Sequence, residues 1–231
     1  TREFVNNEIL PIIDKHFENG TFPDNLTSKI ADMGFFGINL PKEDGYGGMS
    51  NIIYGLVCQE IERGDSGIRS FISVQNSLVM FPIHAFGSDG QKQKWLPLLA
   101  NGESIGSFGL TEPDHGSDPG SMDTKAVKGD GGYILNGAKM WITNGSIADV
   151  SIVWAKTEDG VVRGFLVEKE MEGFTAPEIH GKWSLRASVT GELVFDNVKV
   201  PKENLMPEAS GLKGPLGCLS SARYGIAWGA I

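Results

Sequence analysis

A change of hydrophobic period near Ser104 constrains this chain more than any other feature. Through the first hundred residues apolar side chains recur at helical spacing, as with Phe4, Val5, Ile9, Ile12, Ile13 and Phe17 on Arg2–Phe17. A second helix is expected from an N-cap at Asp24 toward Met33, stopped by Gly34. Three more are expected over Ile52–Arg63, Gly67–Met80 and Asp89–Ala100, the last stopped by Asn101-Gly102. Pro41–Gly48 (PKEDGYGG) reads as a loop. Beyond Ser104 the runs are short and β-type: Ile134-Leu135, Ile152-Val153-Trp154, Gly164–Val167 and Leu193-Val194-Phe195. GDGG, NG and EDG turns punctuate them at a spacing typical of an antiparallel sandwich or barrel. From Gly214 the helical spacing returns. The expected class is therefore α+β, with a helical domain over 1–103, a β domain over 104–210 and the start of a second helical domain over 211–231.

Charge and apolar runs exclude whole classes of function. The formal net charge is −9, which argues against nucleic acid, since phosphate binding needs clustered Lys and Arg. No apolar run approaches the roughly 20 residues a membrane-spanning helix requires, so no stable membrane insertion is expected. The start, TREFVNNEIL, does not read as a signal peptide. Cys58 and Cys218 sit far apart in apolar contexts, where reduced and buried thiols are expected, as suits a cytosol or an organelle matrix. The last helical stretch runs to Ile231 without a stop signal, which reads as a piece of a longer protein.

Two motifs are decoys. GESIG at Gly102–Gly106 matches a nucleophile elbow, but that motif needs a strand before it and a helix after it, and here the order is reversed. GYGGMS at Gly45–Ser50 has no strand leading into it and no βαβ context. The four histidines and two cysteines show no ligand spacing, so no metal is expected.

Two runs carry chemistry: FGLTEPDHGSD at Phe108–Asp118 and KMWITNG at Lys139–Gly145. Together, in this order, they resemble the flavin-contacting segments of the acyl-CoA dehydrogenase family, and the order helices, β domain, helices resembles that family's fold. The resemblance implies an N-terminal helical domain and a β-barrel or sandwich domain, with most of a C-terminal helical bundle absent. It also implies FAD. An isoalloxazine ring offers acceptors and two apolar faces, so a protein holds it with backbone N–H groups, a hydroxyl or two and a packed aromatic. The residues carried over for this role are Phe108, Gly109, Leu110, Thr111, Gly116, Ser117, Trp141, Ile142 and Thr143.

Three further stretches, RGDSGIRSFISVQNSLV at Arg63–Val79, GKWSLRAS at Gly181–Ser188 and GPLGCLSSARYGIAWG at Gly214–Gly229, are similar to glutaryl-CoA dehydrogenases within that family. A terminal carboxylate taken out of water needs a charged, fork-shaped donor, and such members resemble this chain in placing Arg and Ser where Arg69 and Ser70 stand. The bland alternative is an Arg69 paired with Glu62 or Asp65. The resemblance implies substrate contacts from Glu62, Arg69, Ser70, Ser73 and Ser117. It adds the border of the CoA channel: Leu216, Gly217, Cys218, Leu219, Ser220, Ser221, Ala222 and Arg223. No residue matches the family's catalytic base, a Glu of the C-terminal domain, and Glu112 in the TEP run resembles a structural residue. The implied activity is α,β-dehydrogenation of glutaryl-CoA with decarboxylation to crotonyl-CoA, in lysine and tryptophan breakdown. The alternatives are a short-chain acyl-CoA dehydrogenase, an oxidase or flavin monooxygenase on the same scaffold, or a non-catalytic relative serving as a binding or assembly module. Implied partners are electron-transfer flavoprotein and further copies in a homotetramer, in bacterial cytoplasm or the mitochondrial matrix.

Overall fold

The computed structural model describes all 231 residues, Thr1–Ile231. Helices α1 (Arg2–Phe4) and α2 (Leu10–Asn19) join through a π-helical stretch, Val5–Ile9. Phe4, Val5, Ile9 and Ile13 are thereby buried along one rod. Gly20, at φ 65°, ends it in the left-handed conformation that glycine adopts without a Cβ clash. Helix α3 (Leu26–Asp32) starts after Asn25 rather than Asp24, and no side chain caps it. A backbone turn does the work instead: the Leu26 and Thr27 amides donate to the carbonyls of Pro23 and Asp24.

Helix α4 (Asn51–Gly64) ends at Asp65, whose extended backbone breaks the chain direction. The same residue caps α5 (Ser66–Ser73), its carboxylate accepting the Gly67 and Ile68 amides at 2.7 and 3.1 Å. Glu62 and Arg69 therefore stand on different helices. Beyond Ser73 the rod continues as a π-helix, Val74–Met80, and then α6 (Phe81–Phe86), past the expected end at Met80. The Phe81 amide reaches back to the Asn76 carbonyl, which carries the ladder past Pro82, a residue with no N–H to give. Helix α7 (Asp89–Ala100) opens with a reciprocal capping box between Ser88 and Gln91.

The β region forms one sheet of seven strands: β1 (Gly106–Gly109), β2 (Lys125–Gly129), β3 (Gly132–Thr143), β4 (Val150–Thr157), β5 (Val162–Glu168), β6 (Phe174–Thr175) and β7 (Thr190–Pro201). The order is β1-β4-β2-β3-β7-β6, with β5 paired to β4. Short turns make β2–β3 and β4–β5 antiparallel, as the punctuation implies. The sheet is nevertheless mixed, because β1 and β2 both run parallel to β4. Parallel neighbours need long connections, and pairing across those leaves no local turn signal.

Both faces of the sheet are covered. Alternate β4 residues Val150, Ile152 and Trp154 join the core of the helical layer. Val153 and Ala155 point the other way, into a second core with Phe165, Leu193 and Phe195. Gln75 couples the layers: its Nε2 donates to the carbonyls of Leu99 and Ser104, and its Oε1 accepts the Gly106 amide at the head of β1. Helix α8 (Lys213–Gly229) then crosses the helical layer. The fit is tight enough that a Cβ on Gly225 would lie 3.2 Å from both Tyr54 Oη and Cys58 Sγ. Both cysteines are free and buried.

Candidate active site

The pocket of interest opens where the end of β1, the bulged end of β3, the π-helix Val74–Met80 and α8 converge. It is a cavity of roughly 290 Å³. Phe108, Leu110 and Thr111 form one wall and Trp141, Ile142 and Thr143 another. Gly116 and Ser117 come from the loop after β1, and Leu216, Leu219 and Arg223 from one face of α8. Two runs far apart in sequence thus form adjoining walls of one cavity because β3 folds back along the end of β1. The Met140 amide donates to the Thr111 carbonyl at 2.8 Å, and Asn144 Nδ2 donates to the Gly106 carbonyl at 3.1 Å.

The register of β3 against β7 slips by one residue between Lys139 and Ile142. Within that bulge Trp141 has φ 62°, a conformation uncommon for a large side chain. The indole is 63 % exposed and lies on the cavity wall rather than in the core. An unburied indole, two threonine hydroxyls and an open backbone suit a flat heterocycle with polar edges, the donor set that FAD requires.

Behind this wall lies an ion pair that sequence reading passed over in part. Lys139 is fully buried, and its Nζ donates to Glu112 Oε1 at 2.7 Å and to the Leu110 carbonyl at 3.2 Å. The Glu112 carboxylate also accepts the amides of Asp123 and Thr124 at 2.6 and 3.0 Å. The two partners respond differently to burial. Desolvation pulls the Lys139 ammonium down to about 8 despite the attraction of Glu112. Desolvation alone would push Glu112 up, but Lys139 and the added donors overcome it and hold the carboxyl below its usual range. Glu112 is thus fully engaged away from the cavity, and the cavity wall carries no carboxylate.

Not every residue expected at the site reaches it. Gly109 faces inward: a Cβ there would meet Leu193 and Lys139. On α8 only the i, i+3, i+7 face borders the cavity. Cys218 turns into the core with Sγ near the Gly214 carbonyl, and burial raises its thiol to about 12. Ala222 is buried, Ser220 bonds back to the Leu216 carbonyl, Ser221 Oγ donates to Ser77, and Gly217 lies off the wall. Glu62, Arg69, Ser70 and Ser73 also stand outside it. Arg69 is buried at 7 % exposure, its Nε pairs with Glu62, and its Nη1 lies 3.5 Å from Ser73 Oγ. That group abuts the cavity through the helix itself, since Val74 follows Ser73 and lines the wall with Leu78. Val74, Leu78 and Pro119 were not anticipated. The first two could have been, as an i, i+4 pair continuing the face that begins near Ser70.

Residues 1–103 match the family model for the acyl-CoA dehydrogenase N-terminal domain, and residues 107–198 match that for the middle domain. An acyl-CoA dehydrogenase of Bacillus subtilis is 39% identical over the whole of this chain, which spans 62% of that relative. The mitochondrial short-chain specific acyl-CoA dehydrogenase of Rattus norvegicus is 35% identical over the whole chain, which spans 57% of it. The crystal structure of a glutaryl-CoA dehydrogenase from Mycobacterium smegmatis in complex with FADH2 superposes with a TM-score of 0.96 at 53% identity. That match covers 99% of this chain and 59% of the other. The chain belongs to the acyl-CoA dehydrogenase family of flavoprotein oxidoreductases and carries its N-terminal helical and middle β domains. It spans about three-fifths of the length of these relatives.

Proposed function

We propose that this chain supplies the flavin wall and part of the acyl-CoA channel of an FAD-dependent dehydrogenase acting on glutaryl-CoA. The observation that carries the reading is the convergence of Thr111, Trp141 and Thr143 with the Leu216–Arg223 face of α8 on one cavity. Backbone and hydroxyls at Thr111 and Thr143 would hold the ring edge and Trp141 one face. Bound FAD would accept the hydride from the substrate's β-carbon. The α-proton must go to a carboxylate, and the cavity wall has none, so the base belongs to a segment outside this chain. Arg69 would orient the distal carboxylate of the substrate. After oxidation to a glutaconyl thioester, that carboxylate leaves as CO2, and the electron pair left on the γ-carbon takes a proton to give the crotonyl thioester. Electron-transfer flavoprotein as the acceptor, a homotetramer, and a cytoplasmic or matrix location accompany this reading.

One observation favours a second reading, a short-chain enzyme for unbranched monocarboxylic acyl groups. Arg69 already has a carboxylate partner in Glu62 and stands outside the cavity wall. Substrate comparison decides between them. Arg69→Met in the full-length gene product should lose about 2–5 kcal/mol of transition-state stabilisation with glutaryl-CoA, the scale of breaking a desolvated charge pair. Pentanoyl-CoA, of similar length without the carboxylate, should lose far less. The paired change Arg69→Met with Glu62→Gln controls for the carboxylate that the single change would strand. Equal losses on both substrates would leave the short-chain reading standing.

A further inference from the structure

We propose that the buried Lys139–Glu112 pair is the positioning element of the flavin wall, tying the end of β1, the entry to β2 and the bulge of β3 into one rigid unit behind the cavity. This rests on the FAD reading above and adds to it two residues that do not themselves touch the cavity.

The connectivity carries the inference. The Lys139 ammonium holds the Leu110 carbonyl, and Leu110 and Thr111 line the cavity on either side of that anchor point. The same ammonium holds Glu112, whose carboxylate in turn holds the amides of Asp123 and Thr124 as the chain enters β2. On its own strand Lys139 sits at the last paired position before the register slip, so it fixes where the bulge begins. The stem of Lys139 leaves the end of β1 no slack: a Cβ on Gly109 would lie 3.1 Å from Lys139 Cγ and 3.0 Å from Leu193. The Met140 amide, first in the bulge, then pins the Thr111 carbonyl. Rotation of the Thr111 carbonyl or of the Met140 amide would have to break one of these contacts.

Packing alone gives no reason for ions here. A buried pair costs desolvation, and apolar residues of equal volume are often as stable or more so. An apolar pair could not bind one carbonyl and two amides at fixed angles. The carbonyl is that of Leu110 on the cavity wall, and the amides of Asp123 and Thr124 close the loop that carries Gly116, Ser117 and Pro119 of the same cavity. Preorganised backbone donors bind a ligand better than mobile ones because ordering is not charged to the binding step.

The test uses the full-length gene product loaded with FAD, in wild type, Lys139→Met, Glu112→Gln and the double variant. The double variant strands no buried charge and nearly preserves volume, so it should fold with a wild-type far-UV CD spectrum. Its FAD dissociation constant should rise by roughly tenfold or more. Its Trp141 emission, read as the difference from the same protein carrying Trp141→Phe, should shift even without FAD. Should the double variant fail to fold, Glu112→Gln alone, which keeps an acceptor for the Thr124 amide, carries the same two measurements. A folded variant that binds FAD within twofold of wild type, with unchanged Trp141 emission, would overturn the proposal while leaving the cofactor reading intact. Wild-type protein that cannot be loaded with FAD would overturn both.

Discussion

At the scale of single residues both members of the buried pair make stability rise with pH, each in its own window. The Lys139 ammonium is held at about 8 against 10.5 when solvated, so between those values the unfolded chain binds the proton that the folded chain has released. Stability from this group therefore rises with pH between about 8 and 10.5. Glu112 is held below 4.5, so its contribution is present above that value and is lost as acid protonates the folded state. Urea unfolding at several pH values should give a wild-type minus double-variant difference that climbs from pH 8 to 10 and falls below pH 4.5. A flat difference would mean that the pair is solvated rather than buried. Trp141 is a separate test of the wall. Trp141→Ala should leave thermal stability nearly unchanged, because the indole is 63 % exposed, and should weaken FAD binding measured by flavin fluorescence.

Among the elements, the rod formed by α5, the π-helical stretch and α6 determines how the two layers meet. Its midpoint carries the buried polar side chains Gln75 and Asn76. Asn76 takes the Gly37 amide and gives to the Phe35 carbonyl, while Gln75 binds three backbone groups around the start of β1. Gln75→Leu should cost about 2–4 kcal/mol in urea unfolding, because it leaves a buried amide and two buried carbonyls without partners. It should cost more than Ser70→Ala on the same rod, where the side chain is only partly buried. Equal costs would mean that solvent reaches the Gln75 site.

For the molecule as a whole, one core joins the helical layer to the sheet. Trp154, Ile152 and Leu166 belong to the same apolar cluster as Ile68 and Phe71, and Phe108 meets Trp154 edge-on with ring centroids 6.1 Å apart. Helical and β regions should therefore unfold together despite their different composition. Far-UV CD and the fluorescence of buried Trp154, isolated as the difference from Trp154→Phe, should give coincident urea transitions. Two separated midpoints would show that each region holds its own fold.

What the chain discloses by itself follows from periodicity and turn chemistry, which act over a few residues. The helix-to-sheet switch, the end of α7 at Asn101-Gly102 and the β2–β3 hairpin were legible for that reason. So were the two runs now found lining one cavity. Reading failed wherever a distant partner decided the outcome. The helix expected to end at Met80 is carried onward past Pro82 by a π-helical ladder. The parallel pairing of β1 and β2 with β4 crosses long connections. The α8 segment was read whole as channel border, whereas only the face holding Leu216, Leu219 and Arg223 reaches the cavity. Lys139 shows the divide most plainly. In sequence it is one more lysine at the head of KMWITNG, and no local pattern marks a charge as buried. Its burial and its partner exist only because folding brings Glu112, Leu110 and β3 together, where removal from water makes each unpaired polar group too costly to leave alone.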